Sequence, residues 1–175
     1  FEFVDDNSLV QAECGDGILR IANIDLQAIV LPSLATIRRD TLEMLHRFVE
    51  SGGVVVAFGR LPDASPEAGR EDPVVRATIL EMFRVEASVA PSDIAQNENP
   101  SGGRAIFVPG DPEDVATQIM NAVDRDLVAS QSDVFHTHQR TGNLDIYLIV
   151  NVKPESRRIS VNLRTTGYPE IWNTF

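Results

Sequence analysis

The sequence predicts a three-layer α/β domain built on a parallel sheet, followed by antiparallel strands of a partial β-sandwich. Three observations carry that expectation. Short, continuously apolar runs at 28–31 (AIVL), 54–58 (VVVAF) and 105–108 (AIFV) read as strands buried on both faces. Stretches with helical apolar spacing are interleaved with them, two opening on the pairs Asp72-Pro73 and Asp111-Pro112, a cap followed by proline in the first turn. After about Leu127 the apolar period becomes two, and no crossover helix fits between the later strands.

In chain order, Phe1 to Ser8 reads as an acidic lead-in. Leu9–Glu13 and Gly17–Ile21 then flank Cys14-Gly15-Asp16 as a hairpin. The 28–31 strand stops at Pro32, and a helix follows with Leu42, Leu45, Phe48 and Val49 on one stripe. Ser51-Gly52-Gly53 ends that helix, because glycine takes the left-handed C-terminal conformation without a Cβ penalty. The 54–58 strand turns over the sheet's carboxyl edge at Gly59, and 61–73 is an exposed Pro-, Gly- and acid-rich loop. Val74, Val75, Ile79, Leu80, Met82 and Phe83 give the next helix an apolar face, and 87–103 is the least structured stretch. The 105–108 strand ends at Pro109, and Val115, Ile119, Met120 and Val123 are the buried stripe of a third helix.

Four strand candidates close the chain: 134–140, 145–152, 157–163 and 169–173. A domain boundary is placed at 126/127. In the second domain, Ile146, Leu148, Val150 and Val152 form a wholly apolar row and are expected to face the core, with Trp172 as an anchor. The chain begins on Phe1 and ends inside a strand candidate, so it reads as a piece of a longer polypeptide. An edge left open at its last strands invites self-association.

Composition narrows the partners. Fifteen basic against twenty-six acidic residues, a formal charge of −11, disfavours nucleic acid, which needs a basic footprint. No apolar run approaches the roughly 18 residues that span a bilayer, so no membrane partner is expected. A single cysteine excludes an internal disulfide, and no motif calls for a cofactor.

Candidate chemistry is sparse. Cys14 lies between Glu13 and Asp16 with no base beside it and reads as structural. His136 and His138 share a strand face and could grip a metal only with a third ligand such as Asp133; a hydrogen-bonded polar pair is the simpler reading. Asp5-Asp6 and Asp63/Glu67 are acid pairs of the kind glycosidases use, or solvated loop acids. Gly52-Gly53 and Gly102-Gly103 lack the spacing of a phosphate loop. Ligands of open parallel sheets bind at the carboxyl edge, which singles out Ser33 and Arg60 as ligand-binding candidates. The alternative for Arg60 is a salt bridge to Asp63 or Glu67. No catalytic residue is assigned.

Two portions together resemble a known enzyme group. The stretch from Ile29 to Ser65 resembles the amidotransferase-like middle domain of large glycosidases, including the β-galactosidase trimerisation domain: an apolar strand ending in Leu-Pro, a helix, then Gly-Gly and an apolar strand. Arg140, Asp145, Tyr147, Asn151 and Trp172 match the β-sandwich segment of bacterial α-L-rhamnosidase-like glycoside hydrolases. The resemblance implies a flavodoxin-like or class I glutamine amidotransferase-like domain at 1–126 and the start of a β domain at 127–175. It also implies a catalytic (β/α)₈ barrel upstream, a further β domain downstream, and a homo-oligomer as one possibility. No cysteine stands at Gly59-Arg60, so degenerate, non-catalytic use of the fold is expected. The leading reading is a non-catalytic accessory or scaffold segment. Its rivals are a carbohydrate or small-molecule binding module using Ser33 and Arg60, and a hydrolase using acids of the 61–73 loop.

Overall fold

The computed structural model describes residues 2–87, 89, 91–131 and 133–172. The chain forms two compact units, Phe1–Val123 and Asp124–Phe175.

The first unit opens on a short helix, α1 (Asp6–Val10), and a three-stranded antiparallel sheet of β1 (Glu13–Gly15), β2 (Ile18–Ile21) and β3 (Ile24–Leu26). The hairpin turn falls on Asp16-Gly17, both at positive φ (52° and 73°), the Asp-Gly pair that suits a two-residue turn. This corrects the expected lead-in and the expected strand at 9–13. Asp5 accepts hydrogen bonds from the backbone of Asn7 and Ser8, which caps a helix containing Leu9 and Val10.

Four strands make the central sheet: β4 (Ala28–Leu31), β5 (Val54–Phe58), β6 (Ala95–Glu98) and β7 (Arg104–Val108), ordered β4-β5-β7-β6. β4, β5 and β7 are parallel, as the apolar runs and crossovers predicted, and β6 is an antiparallel edge. The Ala-Gln-Asn-Glu sequence of β6 is too polar to signal a strand, so it fell within the stretch expected to lack structure.

Strand alternation divides the core. Val55, Ala57, Ala105 and Phe107 join Leu42, Leu45 and Phe48 of α2 (Arg39–Glu50) and Val75, Ile79, Met82 and Phe83 of α3 (Pro73–Phe83). Val54, Val56, Ile106 and Val108 instead meet Val115, Ile119 and Ala122 of α4 (Pro112–Ala122). Helices therefore cover both faces. The helix stripes are narrower than expected: Val74, Leu80 and Met120 are exposed, and α4 has no fully buried residue because it lies over the thinner core. The end of α2 packs tightly on the sheet. A Cβ added at Gly53 would meet the Phe48 ring at 2.2 Å, and one at Gly103 would meet the Val49 carbonyl oxygen at 1.8 Å.

The second unit has two antiparallel pairs, β8 (Leu127–Ala129) with β11 (Val161–Leu163), and β9 (Val134–Thr141) with β10 (Leu144–Asn151). The expected core face is reversed. Ile146, Leu148, Val150 and Val152 are 52%, 53%, 39% and 57% exposed, while Asp145 and Tyr147 on the opposite face are half-buried. Ion pairs draw that polar face inward and leave the apolar row exposed. Pro169–Trp172 is not a strand, and Trp172 is 85% exposed rather than an anchor. Residue 173, the end of that strand candidate, lies outside the described residues.

Candidate functional site

The carboxyl edge of the parallel sheet is where this architecture would place a ligand or a nucleophile. β4 delivers Ser33 there and β5 delivers Gly59. Gly59 has a φ of 73°, left-handed backbone where β5 gives way to the loop at the position an elbow nucleophile would occupy, and its N–H donates to the Val108 carbonyl at 2.8 Å. A Cβ at Gly59 would stand 3.2 Å from both Cβ and Oγ of Ser33, so the elbow leaves little room for a side chain. Arg60 is exposed, and its Nη2 donates to Asp63 Oδ1 at 3.1 Å within its own loop.

The 61–72 loop is fastened rather than free. Asp72 is 1% exposed and takes a two-pronged contact from Arg39, Nε to Oδ2 at 2.8 Å and Nη2 to Oδ1 at 2.9 Å. It also accepts from the Ser65 hydroxyl and from the Val74 N–H, the latter capping α3. The Arg39 guanidinium, followed by Ser65 and Val74, holds the Asp72 carboxyl well below the usual range against the opposing effect of burial. Glu67 is lowered as well, by its own N–H and then by that of Arg39. Isolated bridges at Thr36–Ala64 and Ser65–Gly69 complete the fastening.

The remaining sequence candidates have structural occupations. Asp5 caps α1 and Asp6 accepts from the Thr41 hydroxyl at 2.9 Å. Cys14 lies in β1 opposite Leu19, partly buried against the core. His138 is not aimed at His136 but sits between carboxylates: Nδ1 to Asp126 Oδ2 at 2.8 Å, Nε2 to Asp145 Oδ1 at 2.9 Å. Among the described residues, no group of three or more His, Cys, Asp or Glu could hold a metal ion. No helix among them is long and apolar enough to cross a membrane.

Sequence reasoning did not anticipate the full extent of this second cluster. The His138 ring stacks on Tyr147 with centroids 4.0 Å apart and planes 8° from parallel. Asp145 also accepts from Arg140 Nε at 2.8 Å and from the Thr165 hydroxyl at 2.6 Å, and these donors, Arg140 foremost, hold its carboxyl far below the usual range. Burial, then the charge of Asp126, pushes the Tyr147 phenol up. Asp126 precedes β8 and Thr165 follows β11, so the cluster ties the β9–β10 hairpin to the β8–β11 pair. The available signal was register: a Thr-Gly-Asn turn pairs Arg140 with Asp145 and His138 with Tyr147.

The family model for glycoside hydrolase family 106, described as α-L-rhamnosidase, matches residues 1–175. No curated protein matches the sequence. Among solved structures, Gan42B, a GH42 β-galactosidase, is similar at a TM-score of 0.58 and 15% identity, over 79% of this chain and 28% of that one. The chain thus spans under a third of that structure, and the likeness is one of fold.

Proposed function

The chain belongs to glycoside hydrolase family 106, the α-L-rhamnosidases, and from that premise we propose that it is a non-catalytic accessory segment of such an enzyme. Its first unit serves as a degenerate amidotransferase-like, flavodoxin-like scaffold, with the acid and nucleophile on a barrel elsewhere in the parent chain. The observation that carries this reading is the sheet's carboxyl edge. The elbow position is Gly59, a side chain there would crowd Ser33, and Arg60 is spent on Asp63. Three of the loop acids, Asp63, Glu67 and Asp72, are committed to Arg60, Arg39 and the α3 cap. The test is hydrolysis of an aryl α-L-rhamnoside and of glutamine by the 175-residue chain, alongside a glycan array. Neither turnover nor glycan binding is expected. Glycan binding lost in a Ser33/Arg60 double variant would favour a binding module instead, and turnover lost on Asp63 or Glu67 substitution would favour a hydrolase.

A further inference from the structure

Asp16-Gly17 is the sole Asp-Gly pair in the chain, and there is no Asn-Gly pair. The pair is reactive because glycine has no side chain to hinder its nitrogen. The Gly17 nitrogen attacks the Asp16 side-chain carbon Cγ, and an N–Cγ bond forms while the carboxylic hydroxyl leaves with the N–H proton as water. Water then opens the five-membered imide at either carbonyl. Opening at the Asp16 main-chain carbonyl breaks its bond to the Gly17 nitrogen and leaves the chain running through Cβ and Cγ. That isoaspartyl linkage carries one extra backbone carbon.

The Asp16 side chain is exposed, so neither water nor the carboxyl is withheld. What the fold withholds is the nitrogen. Gly17 N–H donates to the Ser51 carbonyl, at the C-terminal end of α2, at 2.7 Å. The two residues are also the left-handed turn of the β1–β2 hairpin, with φ of 52° and 73°, and ring closure needs the backbone to leave that turn. The junction has no room for a longer chain. A Cβ at Gly17 would stand 2.9 Å from the Gly52 carbonyl oxygen, and one at Gly52 would stand 3.1 Å from the Ser101 carbonyl oxygen. An added main-chain carbon also breaks the two-residue loop that pairs Gly15 with Ile18. We propose that Asp16-Gly17 is a self-modification site that the folded chain keeps closed and that unfolding opens. Once isomerised, the hairpin no longer rebuilds its contact with α2, which makes unfolding progressively irreversible.

The test is to age the 175-residue chain at one near-neutral pH, in buffer and in urea that unfolds it, and to map isoaspartate in the tryptic peptide that ends at Arg20. Isoaspartate at Asp16 is expected to form at least about tenfold faster in urea than in buffer, and faster there than at any other Asp. The modified chain, separated and returned to buffer, is expected to melt at a lower Tm than the unmodified chain carried through the same steps. Asp16→Asn gives a second readout. Asn also tolerates the left-handed turn, and it reaches the same imide with loss of ammonia, which the mass of the hydrolysed product records. The same contrast between buffer and urea is expected for it. Equal rates in buffer and urea, in either chain, overturn the proposal, because the fold then closes nothing. So does a modified chain that regains the unmodified Tm.

Discussion

Asp145 is the residue on which the second unit's polar contacts converge: it accepts from Arg140, Thr165 and His138. Its folded carboxyl is held below its unfolded value, with Arg140 the first cause. By linkage, such a group contributes stability that is fully present above the unfolded pKa, about 4, and lost as pH falls through the folded one. The second unit is therefore expected to loosen in acid below about pH 4, and Asp145→Asn to be less stable at neutral pH but flatter in its acid response. Amide signals of β9 and β10 followed by NMR between pH 7 and pH 2 would show this. Equal acid response in the variant would place the sensitivity on groups other than Asp145.

At the scale of elements, the tightest junction is where the C-terminus of α2 meets the starts of β5 and β7. A Cβ at Gly103 would overlap a backbone carbonyl, which no rotamer change relieves. Gly103→Ala is expected to cost at least about 3 kcal/mol, on the order of a 10 °C fall in Tm. Gly110→Ala, with nothing within 4 Å of its Cβ, should stay within about 0.5 kcal/mol. Thermal melts of the two variants check both. The same junction shows what the sequence made legible. Val-Val-Val-Ala-Phe and Ala-Ile-Phe-Val are read correctly because a strand buried on both faces must be apolar throughout. β6 escapes because an edge strand can be polar, and the hairpin's apolar row is misassigned because alternation defines two faces without saying which one is covered. At the site, the empty elbow at Gly59 is visible in the sequence. The Asp72 latch is not, since Arg39 and Asp72 are 33 positions apart and only the fold brings them together.

Across the whole molecule, stability is distributed unevenly. The first unit holds a layered core in which Phe48, Val55, Val56, Val75, Ile79 and Phe83 are wholly buried. Among the described residues of the second unit, Leu127 is the sole buried apolar side chain. A two-stranded pair is marginal in water, and two of them joined by a half-buried polar cluster gain little hydrophobic stabilisation. The units should therefore open separately, the second at much lower free energy. Hydrogen exchange would separate them: amides of β5 and β7 are expected to exchange only through global unfolding of the first unit, and those of β9 and β10 many orders of magnitude faster. Equal protection in both units would mean that the second is held by contacts other than those between its own strands.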